Sequence, residues 1–97
     1  MHARVTTVSV QPDKVAETTR IYNESILPAI KAASGNQGVF LLIDPATSKG
    51  ISITMWNSQA EGDAYDSSGT YRELVAKVAP FFAAPPSLAT YEVAAQG

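Results

Sequence analysis

Cysteine is absent from this sequence of 97 residues. Disulfides and thiolate metal sites are therefore excluded. Histidine occurs once, as His2, and a residue so near a chain end is expected to be mobile. Neither a histidine-based metal centre nor a Ser-His triad can be assembled from it. Positive charge is scarce: Lys and Arg number 7 against 9 Asp and Glu, for a net charge of -2. A phosphate backbone calls for a basic face, so no nucleic-acid partner is expected. No apolar run approaches the length of a membrane span, and the N-terminus has no signal-peptide core. The expectation is a soluble cytoplasmic protein with no membrane partner. What is present is 45% hydrophobic and 16% charged residues. That composition suits one small globular domain over residues 1–97 with a modest core.

The most informative stretch runs from Gly38 to Trp56. Two apolar runs, Val39 to Ile43 and Ile51 to Trp56, flank a loop containing Asp44, Pro45, Ser48 and Gly50. This is a β-hairpin pattern with a loop longer than the tightest type. The first run is apolar at every position, so both of its faces need cover. The second alternates. Ile51, Ile53 and Met55 point one way, and Ser52, Thr54 and Trp56 the other.

The remaining elements can be read around this hairpin. Ala3 to Val10 has β-propensity, with Arg4, Thr6, Val8 and Val10 on one face. Pro12 and Asp13 suit a first helical turn. Val15, Thr19, Tyr22, Ile26, Ile30 and Ala33 then mark an apolar helical stripe. Pro28 should kink or split that helix, and Gly35 should cap it in the left-handed region. Ser58 with Glu61 forms a capping box that opens a second helix. Gly62 weakens this helix by about 1 kcal/mol relative to alanine, and Ser67-Ser68-Gly69 should interrupt it. It resumes over Tyr71 to Phe82, with Leu74, Val75, Val78 and Phe82 as its apolar stripe. Ala83 to Pro86 reads as a connector, and Leu88 to Ala94 as a last strand.

The order β-α-β-β-α-β predicts an α+β, ferredoxin-like fold, with a four-stranded antiparallel sheet carrying its helices on one face. A bare apolar face of roughly several hundred Å² is more than monomers usually expose. The expected cover is a second copy, giving a two-fold homodimer packed sheet to sheet.

With that order in place, the chain resembles the antibiotic biosynthesis monooxygenase family of the dimeric α/β-barrel superfamily. Gly38 before strand two, the strand-three ending Ile53-Thr54-Met55-Trp56-Asn57-Ser58 and the closing Thr90-Tyr91-Glu92-Val93 carry the likeness. In the cofactor-free oxygenases of this superfamily, which act on polyketide anthrones, a tryptophan ends strand three and an arginine sits late in helix two. Trp56 and Arg72, the latter in Arg72-Glu73-Leu74, match those positions. An asparagine four residues before the tryptophan is Ser52 here. A tyrosine six residues after it is Gly62, with Tyr65 as a nearby substitute. The haem-degrading branch requires a helix-two histidine, which this chain lacks.

The resemblance thus implies a cofactor-independent monooxygenase acting on an aromatic, polyketide-type molecule. Trp56 and Arg72 would be its catalytic residues. Ser52, Thr54, Tyr65, Tyr71 and Tyr22 would bind substrate in a cavity between sheet and helices, beneath a lid formed by the weak segment Gly62 to Gly69. Neither a metal nor any other cofactor is expected. Plainer readings exist for the same residues: Trp56 as a core anchor, and Arg72 as a solvated helix residue paired with Glu73 or Asp66. Alternative functions on this fold are a non-catalytic binding or structural dimer, or an isomerase or cyclase.

Overall fold

The computed structural model describes all residues from Met1 to Gly97. Strands β1 (His2–Val10), β2 (Asn36–Asp44), β3 (Lys49–Trp56) and β4 (Phe82–Glu92) form one sheet in the order β2-β3-β1-β4. Every neighbouring pair is antiparallel. Four helices follow the expected order: α1 (Val15–Ile21), α2 (Leu27–Lys31), α3 (Gln59–Ser67) and α4 (Gly69–Val78). This is the ferredoxin-like α+β arrangement that the sequence pattern predicts. None of the helices is long and apolar enough to cross a membrane.

Local chemistry accounts for the joints. In the hairpin loop, Asp44 Oδ1 accepts the Ala46 N–H and the Asp44 carbonyl accepts the Ser48 N–H, both at 2.9 Å. Ser48 completes the turn in the left-handed region at φ 60°. Pro28 cannot offer an amide, and its ring crowds the carbonyl four residues back. The chain answers one turn earlier. Across Tyr22–Ile26 the helix widens to a π-type turn, and the Leu27 N–H reaches back to the Tyr22 carbonyl. Gly35 ends the first helical unit at φ 82°, as its cap position requires. Ser58 caps α3 by accepting the Glu61 N–H at 3.3 Å. Ser68 breaks the second helical unit with an extended backbone, φ -75° and ψ 151°. Its hydroxyl donates to the Tyr65 carbonyl at 2.6 Å and accepts the Tyr71 N–H at 3.4 Å.

Three expectations need correction. The second helical unit ends at Val78, not Phe82: Ala79–Phe81 tightens to a 3-10 turn at Pro80, and Phe82 opens β4. The stretch Ala83 to Pro86 is not a connector: β4 begins at Phe82 and runs through both prolines. It lies at the sheet edge, where β1 and β4 slip register between Thr7 and Val10, so missing amides are tolerated. His2 is not part of a loose end. It pairs with Trp56 on one side and Glu92 on the other, and is buried.

The two faces of the sheet differ. Under the helices, Trp56, Tyr22, Ile26, Ile30, Tyr65, Leu74 and Val78 form the core. On the other face, Phe40 is 55% exposed, Leu42 52%, Ile51 38% and Tyr91 56%.

Candidate functional site

The helix-facing stripe of β3 holds Ser52, Thr54 and Trp56, the set that its alternation places together. Trp56 is completely buried. Its indole N–H donates to Thr54 Oγ1 at 2.9 Å. Tyr65 from α3 stacks on it at 5.0 Å with the planes 28° apart. Gly62 explains how α3 comes so close. A Cβ there would sit 3.3 Å from Trp56 Cδ1 and 3.4 Å from His2 Cδ2. The glycine that weakens the helix is what lets it lie on the indole.

The wider turn at Tyr22 has a comparable consequence. It carries the Tyr22 hydroxyl to within 2.7 Å of Ser52 Oγ. Either hydroxyl can donate, so the pair retains one unused O–H. Thr54, having accepted from Trp56, also keeps its own O–H to give. Tyr22, Ser52 and Thr54 border a cavity of about 90 Å³ between sheet and helices, room for several waters or a small organic group. Tyr22, Ser52, Thr54, Tyr65 and Tyr71 all line it, beside Arg4, Thr6 and aliphatic side chains such as Val8, Ile26, Leu41 and Leu74. Tyr71 meets Tyr65 edge-on at 5.6 Å and 80°.

Electrostatics fix the roles these groups can take. Burial pushes the Tyr65 phenol up to about 12, with the neighbouring Tyr22 and Tyr71 adding to the effect and Arg4 opposing it. Burial also raises Tyr22, only partly offset by its bond to Ser52. At neutral pH both are donors and neither is a base. The cavity is therefore rich in O–H groups and has no proton acceptor of its own. No group of three or more His, Asp or Glu gathers anywhere in the chain as a metal site would need.

Two expected site residues lie elsewhere. Arg72 does not reach the cavity: it is exposed and makes no hydrogen bond or ion pair. The inward side of α4 is set by Leu74 and Val78, and a residue two positions from Leu74 faces away. Trp56 faces the helices but does not line the cavity; it is held among Thr54, Tyr65 and Gly62. The arginine at the cavity is Arg4 of β1. Its side chain is 4% exposed, and its Nη2 bonds Asp66 Oδ1 at 2.7 Å. The guanidinium lies 5.4 Å from the Tyr71 ring and 6.0 Å from that of Tyr65. The sequence carried a signal for it, since Arg4 alternates in phase with Val8 and Val10, and a cation on the apolar face of a strand requires a special partner. His2 was also missed: its Nε2 is buried without a hydrogen-bond partner.

The sequence matches the family model described as antibiotic biosynthesis monooxygenase over residues 1–77. Among curated proteins no match was found. Solved structures match across nearly the whole chain. A Bordetella bronchiseptica protein provisionally named an antibiotic biosynthesis monooxygenase superposes with a TM-score of 0.84 at 20% identity, covering 97% of each chain. NE2512 from Nitrosomonas europaea, described as of unknown function, gives 0.82 at 23% identity, covering 99% of this chain and 91% of its own. Rv0793 from Mycobacterium tuberculosis gives 0.80 at 14% identity, covering 98% and 96%. At such identities these likenesses establish the fold.

Proposed function

From the premise that the chain belongs to the antibiotic biosynthesis monooxygenase family, we propose that it is a cofactor-independent monooxygenase acting on a small aromatic, polyketide-type molecule. The observation that carries this reading is the cavity itself: aliphatic walls, with hydroxyl donors grouped at Ser52, Thr54 and Tyr22. Apolar walls suit an aromatic body, and convergent donors suit an oxygen that gains charge. In the reaction, the substrate anion adds dioxygen at a ring carbon bearing hydrogen. The resulting peroxide loses water, so one oxygen atom remains as a carbonyl and the other leaves as water. Thr54 and whichever hydroxyl of the Ser52–Tyr22 pair is left free donate hydrogen bonds to the oxygens that carry charge along this path. Tyr65 and Tyr71 contact the ring. Trp56 acts one bond away, by orienting the Thr54 hydroxyl.

The cavity holds no base, so the substrate must be acidic enough to enter ionised or to lose its proton to water. That same feature favours a second reading, a binding protein that holds such a molecule without turning it over. Oxygen uptake with an anthrone, in the presence of chelator and with no added flavin or haem, separates the two. The monooxygenase reading expects uptake that Thr54→Val lowers about tenfold or more, about 1.4 kcal/mol in the barrier. Saturable binding without uptake would favour the second reading. A saturable haem spectrum with haem breakdown under reductant would overturn both.

The chain is also proposed to act as a homodimer. The exposed Phe40, Leu42 and Ile51 on the bare face support this. Light scattering at micromolar concentration should give twice the chain mass, and a stable monomer there would refute it.

A further inference from the structure

Arg4 is the one charged residue lining the cavity. A guanidinium taken this far out of water needs acceptors for its N–H groups. The protein supplies one, Asp66 Oδ1. The contact is single rather than a two-pronged fork, and Asp66 is itself 41% exposed, so water shares its charge. The faces of Tyr71 and Tyr65 add cation–π attraction, but ring faces do not fill the remaining donors as carboxylate oxygens do. None of those donors is sealed from a water-sized molecule. The rest of the wall offers hydroxyls and hydrocarbon, with no carboxylate.

A cationic ligand would be repelled from such a wall, and a neutral one would leave the guanidinium unfilled. An oxygen monoanion on a flat apolar body fits every part of it. We infer that the cavity selects small aromatic monoanions, that Arg4 reads their charge, and that Asp66 on α3 is the internal anion with which the ligand competes. This rests on the reading of the cavity as a site for an ionised ligand, and it goes further by naming the residue that recognises the charge and the carboxylate that competes for it.

Protein-observed NMR titrations at pH 8 test it with two matched pairs of probes. One pair is 1-naphthoate and 1-naphthamide, and the other is the enolate of 1,3-indanedione and neutral 1-indanone. In the unaltered protein each anion should bind about tenfold or more tighter than its neutral partner. Arg4→Gln should abolish that preference. Arg4→Lys should keep a weaker one, because the charge stays while the planar fork is lost. Asp66→Asn should tighten both anions about threefold or more and leave the neutral probes unchanged. Preference for one pair alone would assign the anion as carboxylate or enolate. Equal binding of charged and neutral probes would overturn the inference while keeping the ligand site. Weaker anion binding in Asp66→Asn would overturn it too, by making Asp66 a positioning group. Should Arg4→Gln fail to fold, the Asp66→Asn result still decides. If no probe binds, the inference and the ligand-site reading fall together.

Discussion

The two faces of the sheet depart from the usual arrangement in opposite ways. Beneath the helices, where a core is normally all hydrocarbon, the strands set Arg4, Thr6, Ser52 and Thr54 among Val8, Val10, Leu41 and Ile43. On the face without cover they present Phe40, Leu42, Ile51 and Tyr91. A polar group under a helix costs stability unless it finds a partner. Here the partners are other side chains of the same site: Tyr22 for Ser52, Trp56 for Thr54 and Asp66 for Arg4. The bare face has no comparable internal solution, and a second copy of the chain is the simplest one. Polar groups inside the core and apolar groups outside it both become ordinary if one face holds a ligand and the other a partner.

The sharpest way to break the comparison is to place the same charge on either side of one strand. Leu41 is half-buried under the helices and Leu42 is exposed. Leu41→Asp should prevent folding, at a cost of several kcal/mol for an unpaired buried charge. Leu42→Asp should leave circular dichroism native and halve the mass in light scattering. If the two variants behaved alike, the faces would not differ as described.

Next in size is Trp56→Ala, which should cost about 3–5 kcal/mol in denaturant unfolding, because the indole is wholly buried. A loss below about 1 kcal/mol would mean that the core lies elsewhere.

A third test uses pH. An unfolded tyrosine ionises near its ordinary value, whereas Tyr65 in the fold stays neutral up to about 12. The stability this provides is intact below the unfolded value and is lost as pH rises toward the folded one. Unfolding free energy should therefore fall by roughly 2 kcal/mol between about pH 10 and 12 on account of Tyr65. Tyr65→Phe should flatten that slope, and an unchanged slope would contradict the burial described.

Smaller effects complete the series. Tyr22→Phe should cost about 1 kcal/mol, the usual net value of one hydrogen bond. Arg72→Ala should stay within about 0.5 kcal/mol and leave ligand binding unchanged, since the side chain touches nothing in the site.

Much of this was legible in the sequence. Period-two alternation placed Ser52, Thr54 and Trp56 on one face, the capping box marked the start of α3, and Gly35 marked the end of the first helical unit. Those signals are local, and a few neighbouring residues decide them. What misled was longer in range. Arg72 matched a family position by sequence context, yet the α4 stripe of Leu74 and Val78 turns it outward. Arg4 and Asp66 lie 62 positions apart, so no local pattern joins them. Pro85 and Pro86 looked like strand breakers because edge position, which makes them tolerable, depends on sheet order. Gly62 looked like a defect until the indole beneath it was in place.

The helix-covered face takes the ligand and the bare face does not. Methyl NMR of the full chain during a 1-naphthoate titration tests this in one measurement. Shifts should appear at Ile26, Ile30, Leu41, Leu74 and Val78, which line the cavity, while Leu42, Ile51 and Ile53 on the opposite face stay still. Saturable shifts at Leu42, Ile51 and Ile53 with a silent cavity would place the site on the wrong side of the sheet and contradict the account.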